Sequence, residues 1–191
     1  MQLMFDHISA ILVAGAVTIL LISTSLRAQQ AAVEETIAYA AKAQTLNLAD
    51  FLEDDLLMIG DGTTDTIEDV ETNADGQTTL FSFWKDDEFG VDMLVAYTLT
   101  EQDSIYIAKK WVQLYQLNRF ENGDPAGGGS STLEAFQITM LNVGGNATAS
   151  VSAARLVRVR VVTVYPFGDP DKMSLFRNYW GITIRPPNLG S

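Results

Sequence analysis

The stretch Ile8 to Leu26, ISAILVAGAVTILLISTSL, holds nineteen residues without a charge, flanked by Asp6-His7 and Arg27. Coiled as a helix it measures about 28 Å, close to the roughly 30 Å hydrocarbon thickness of a bilayer. The apolar core of a signal peptide is shorter, about 7 to 15 residues, and follows a basic region. Here no Lys or Arg precedes the run, so a retained helix is expected. Such a helix must be covered by lipid or by packed protein, and Ile8, Ile11, Leu12, Val17, Leu20, Leu21 and Leu26 are the residues expected to meet that cover.

The chain does not turn after the run. From Arg27 to Ile59 there is neither Pro nor Gly, and Ala28, Ala31, Ala32, Ala38, Ala40, Ala41 and Ala43 favour continued helix. Val33, Ile37, Ala40, Ala41, Leu48, Phe51, Leu52 and Leu56 fall near a 3.6-residue period, with Glu34, Glu35, Lys42, Asp50 and Glu53 largely opposite them. Gly60-Asp61-Gly62 is a helix stop. One helix is predicted over 1–59, apolar all round at first and amphipathic later.

Residues 60–79 are polar and acidic and read as a linker. After them come runs of β-like composition: Leu80 to Trp84, Val91 to Thr100, Ser104 to Phe120, Leu133 to Val143, Arg155 to Tyr165 and Tyr179 to Arg185. The Gly-rich ENGDPAGGGSS at Glu121 to Ser131 is expected to be a surface loop. In Arg155 to Tyr165, Arg158 and Arg160 alternate with Val157, Val159 and Val161, as in a strand with one wet face. The predicted class is α+β: a long N-terminal helix followed by an antiparallel β-sheet domain over 80–191.

Composition narrows the chemistry. Twelve Lys and Arg stand against 24 Asp and Glu, a formal net charge of -12, which argues against nucleic acid, because binding it requires clustered cations. With no Cys there is no thiolate nucleophile, disulfide or zinc-thiolate site. His7 is the sole imidazole, too few for a Ser-His-Asp triad or a multi-His metal centre within the folded domain. A non-enzymatic chain without cofactor or metal is expected. Charge is also unevenly placed: residues 34–103 hold eighteen acids against Lys42 and Lys85, whereas 104–191 hold nine bases against five acids. Either the acids serve solubility, or the acidic half of one copy meets the basic half of another. In the second case Arg155, Arg158, Arg160, Arg177 and Arg185 would supply the cations.

An apolar helix running unbroken into an amphipathic half, then a loop and an antiparallel sheet, resembles the type IV pilins and the pseudopilins of type II secretion systems. Ile8 to Leu26 matches the membrane and filament-core helix, and Ala28 to Ile59 the part that packs on the globular head. Phe51 to Gly62, FLEDDLLMIGDG, is similar to the helix end of the larger minor pilins, as is the late segment Arg177 to Arg185. The resemblance implies a self-assembling structural subunit, anchored in a membrane and then part of a cell-surface filament with copies of itself and related subunits. The family carries Glu at the fifth mature position behind a basic leader; this chain has Phe5, with an acid one place later at Asp6. A bitopic membrane protein of another complex, a virion included, is the alternative.

Four further features carry candidate chemistry. Asp6 could pair with a neighbouring subunit's terminal amine, or sit in headgroup water at a helix N-terminus, where the macrodipole favours it. Asp61, Asp65, Glu68 and Asp69 offer the oxygens that Ca²⁺ needs but not EF-hand spacing, so a solvated acidic linker is expected. Asn146-Ala147-Thr148 is a glycosylation acceptor pattern on a turn. Trp84, Trp111 and Trp180 are expected in the sheet core or in packing between subunits.

Overall fold

The computed structural model describes residues 2–62, 66–107, 109–167 and 174–189, with side chains from His7 onward except at 128, 130, 131, 167 and 174. The chain divides into two compact units, residues 1–40 and 41–191. Helix α1 spans Gln2–Leu57 and is common to both. Seven strands follow: β1 (Ile67–Thr72), β2 (Thr78–Asp86), β3 (Asp92–Ile107), β4 (Lys110–Glu121), β5 (Asp124–Leu141), β6 (Leu156–Phe167) and β7 (Ser174–Ile184). They form one antiparallel sheet in sequence order, each strand beside its chain neighbours. The protein is therefore α+β, a long N-terminal helix followed by an antiparallel sheet.

In the second unit the helix buries one stripe: Ala41, Thr45, Leu48, Ala49, Leu52, Asp55 and Leu56, with Ile59 just beyond its end. Those positions recur every three or four residues, so they share a face. Leu48, Leu52, Leu56 and Ile59 join a core with Phe81 and Phe83 of β2, Val95 and Tyr97 of β3, Leu117 of β4, Phe136 of β5 and Val157, Val159 and Val161 of β6. Phe51, expected on this stripe, is exposed, because it stands one place off it. Arg158 and Arg160 lie on the other face of β6 from the buried valines, as strict alternation requires.

Three hairpin turns use the same device. Asn73, Asp87 and Asn142 each open a turn whose fourth residue is a glycine at positive φ: Gly76, Gly90 and Gly145. In each, the glycine N–H donates to the first residue's carbonyl, at 3.0, 3.1 and 2.9 Å. The first residue's side-chain oxygen also accepts backbone N–H groups two and four positions on, namely Asp75 and Gln77, Phe89 and Val91, and Gly144 and Asn146. This is the three-residue hairpin loop closed by a left-handed glycine, primed by an Asx side chain. At one side the sheet is also tied by side chains: Gln77 Oε1 accepts the Phe136 N–H at 2.9 Å and Thr78 Oγ1 accepts the Ile138 N–H at 2.8 Å.

Three expectations change. The acidic segment 60–79 contains strand β1; its register shifts between Ile67 and Asp69, which disrupts the alternation that would have marked a strand. The Gly-rich loop is mostly strand, turning at Asn122-Gly123 and entering β5 at Asp124. Glycine is needed there for close approach, since a Cβ on Gly129 would stand 2.7 Å from the Leu117 carbonyl oxygen. The run Ser104 to Phe120 is a hairpin, with Ile107 pairing Lys110 at its end and Lys109 at φ 66. No Gly, Pro, Asn or Asp marks that turn.

Gly145 stands at φ +77 with open space where a Cβ would be, so Gly145→Ala isolates the conformational cost. The variant should lose about 1 kcal/mol, read as a lowered thermal midpoint with unchanged far-ultraviolet circular dichroism.

Candidate functional site

In the first unit, α1 runs unbroken through the apolar stretch and is long and apolar enough to cross a membrane. Ile8, Ile11, Leu12, Val17, Leu20, Leu21 and Leu26 are all exposed, Ile11 at 71%. Three of the hydroxyls in this stretch turn inward on the helix itself: Thr18 Oγ1 donates to the Ala14 carbonyl at 2.8 Å, and Ser23 and Thr24 donate to the Leu20 carbonyl at 3.0 Å. With those three donors satisfied within the helix, their positions suit apolar surroundings. The side chain of Asp6 lies outside the described residues, as does Asp65 of the acidic linker.

In the second unit the polar chemistry centres on Asp55, which the amphipathic pattern brings to the apolar stripe in the last turn of α1. That is an unfavourable place for a carboxylate, since the helix dipole presents its negative end there. Three strands compensate. Lys85 of β2 donates its Nζ to Oδ1 at 2.8 Å, and Tyr97 of β3 donates its hydroxyl to Oδ2 at 2.6 Å. Arg119 of β4 bridges both oxygens, Nε to Oδ2 at 2.6 Å and Nη2 to Oδ1 at 3.1 Å. Its Nη1 lies 2.7 Å from Glu121 Oε1. Burial alone would raise the Asp55 pKa, but hydrogen bonds from Arg119, Lys85 and Tyr97 outweigh it and hold the carboxyl below its ordinary value. The Tyr97 hydroxyl is pushed up by burial, then by the Asp55 charge and its hydrogen bond, and so stays a donor. Every oxygen of Asp55 is committed to protein partners, which makes the cluster a clamp between helix and sheet.

A second attachment lies ten residues earlier. Thr45 Oγ1, which also donates to the Ala41 carbonyl, is 2.6 Å from Thr163 Oγ1 of β6 and accepts from Asn178 of β7 at 3.3 Å. The Tyr165 hydroxyl donates to Gln44 Oε1. Sequence reasoning passed over Asp55. The available signal was an acid three residues after Leu52, in phase with the apolar stripe, where solvent-facing charge does not belong.

The expected intersubunit arginines are not equivalent. Arg177 pairs with Glu134 of its own chain, with Nη2 3.2 Å from Oε1, and Arg155 donates to the carbonyls of Ser152 and Ala154. Arg158 reaches Thr183 at 3.4 Å; Arg160 and Arg185 are exposed. Asn146 is exposed on the β5–β6 turn. Of the tryptophans, Trp180 packs on the core and Trp111 is 70% exposed. Among the described residues, no three His, Asp or Glu side chains converge so as to hold a metal ion. No family model, curated protein or solved structure matches this chain.

Removing Asp55 leaves part-buried Lys85 without its ion pair and buried Arg119 with Glu121 alone, so Asp55→Ala should cost about 3 to 5 kcal/mol, measured by denaturant unfolding. The acid branch gives a second check. A carboxyl depressed below its ordinary 3.8 contributes stability that is complete above that value and lost as pH falls through the folded pKa. The parent's midpoint should therefore drop below about pH 4, with a shallower drop in Asp55→Asn.

Proposed function

We propose that this chain is a structural subunit of a pilus-like or pseudopilus-like filament, with the apolar half of α1 in a shared core and the sheet domain outside. The observation that carries the reading is the exposed apolar surface of α1 from Ile8 to Leu26, on a helix that continues without a break into the spine of the folded domain. An apolar surface of that length is covered by lipid, by other copies, or by each in turn. Membrane anchoring followed by polymerisation uses the same side chains for both covers. The division of charge supports association between copies, and Arg158, Arg160 and Arg185 remain cations able to meet acids of a neighbour. Exposed pairs contribute little singly, about 0 to 1 kcal/mol each, but a polymer repeats them.

Gentle extraction followed by electron microscopy tests the reading. The parent should yield filaments or extended arrays, while Val17→Arg should lose both membrane retention and assembly, at a cost of about 3 kcal/mol on insertion scales. Uniform detergent-bound monomers from the parent would instead favour a bitopic protein of another complex. Normal assembly of Val17→Arg would exclude a buried stem altogether.

A further inference from the structure

The β3–β4 hairpin ends in a tip that sets an exposed aromatic pair beside two lysines. Tyr106 and Trp111 face each other across the strands with ring centroids 5.2 Å apart, and they are 57% and 70% exposed. Lys109 and Lys110 stand between them in the sequence, both exposed. An open aromatic pair flanked by two ammonium groups is an unsatisfied surface, apolar at its centre and cationic at its rim.

The opposite end of β3 carries the complement. There the β2–β3 turn borders a groove of about 590 Å³, lined by Met58, Asp61, Asp86, Glu88, Phe89 and Met93 among others. Phe89 is 87% exposed and Val91 59%. Lys85 also lines the groove, but its charge is committed to Asp55 at 2.8 Å. Asp86 Oδ1 is shielded from water without a hydrogen-bond partner. Loss of water and the charges of Asp92, Asp61 and Asp87 raise the Asp86 pKa, so a cation brought alongside would relieve that crowding. These acids are spread along the groove and do not converge on a point, which suits side-chain ammonium groups on an extended partner better than one metal ion.

We propose that the Tyr106-Lys109-Lys110-Trp111 tip of one copy docks in the Asp61-Asp86-Glu88-Phe89 groove of the next copy, joining sheet domains head to tail. The tip cannot fold back into its own groove, because the two lie at opposite ends of a sixteen-residue strand, a separation of about 50 Å. Two different surfaces are in contact, so the interaction is heterologous and propagates as a line of subunits. Lysines would meet Asp61, Asp86 and Glu88 while Trp111 and Tyr106 cover Phe89 and Met93. The inference deepens the filament reading by naming a contact between heads, and it rests on that reading only for the stem that accompanies it.

The absence of cysteine makes the test direct. Full-length Tyr106→Cys/Val91→Cys, oxidised after gentle extraction, should give a ladder of disulfide-linked multimers, and neither single variant should do so. Lys109→Glu/Lys110→Glu and Glu88→Lys/Asp92→Lys, each added to that background, should lower the yield about tenfold, because like charges then oppose each other. Mixing the two charge-reversed proteins should restore it, since each offers the surface the other lacks; restoration also shows that both fold. Dimers from Tyr106→Cys alone would indicate a symmetric contact and overturn the proposal. So would ladders indifferent to charge reversal, or binding of the tip to anionic vesicles with no 106–91 disulfide. Filaments by microscopy without that disulfide would overturn this contact and leave the stem reading standing. Ladders without filaments would do the reverse.

Discussion

Asp55 brings a full negative charge into the contact between α1 and the sheet, and the register of the second unit depends on how that charge is met. Its two oxygens take four hydrogen bonds from three successive strands. A rotation of the helix by one residue would carry the carboxylate away from all of them, leaving Lys85 without its ion pair and buried Arg119 with only Glu121. A buried ion pair adds little net stability over a well-packed apolar contact, but an unmatched one is costly. The clamp therefore acts chiefly by penalising other placements of the helix. Thr45, with Thr163 and Asn178, applies the same logic farther along the helix with neutral groups.

Around that clamp the sheet is a meander, which the turn chemistry enforces locally. An Asx side chain that accepts two turn N–H groups, followed by a glycine that accepts the left-handed conformation, closes β1–β2 and β2–β3 and begins the β5–β6 connection. The first two place successive strands antiparallel without long-range information, and the third returns the chain to pair Ala147 with Leu141. The β3–β4 turn lacks that chemistry, so its hairpin is held by the facing strands and by the Tyr106–Trp111 pair. Turns that direct the chain locally lie at some strand ends, and a tip with exposed chemistry lies at another.

The two units present unlike surfaces. The sheet domain closes its own core, and its remaining exposed apolar groups are scattered apart from the hairpin tip and the β2–β3 turn. The apolar half of α1 has no cover within its unit, and the hydroxyls of Thr18, Ser23 and Thr24 are already satisfied by helix carbonyls. An uncovered apolar surface of that kind is what drives association where it occurs, and charge then sets its orientation.

Much was legible in the residues alone. Nineteen uncharged positions followed by a Pro- and Gly-free amphipathic segment determine one long helix, and Gly60-Asp61-Gly62 ends it, because helix continuity and termination are local properties of the backbone. Alternation likewise determined β6, with its valines inside and its arginines outside. Strand β1 and the start of β5 were hidden because a register shift or a need for glycine at close approach erases the period-two pattern. Asp55 could be placed on the apolar stripe from the sequence, but Lys85, Tyr97 and Arg119 stand 30, 42 and 64 residues away from it. No local pattern connects such residues. Only the stacking of β2, β3 and β4 under the helix end brings their charges within hydrogen-bonding distance, and the length of β3 alone separates the basic tip from the acidic groove.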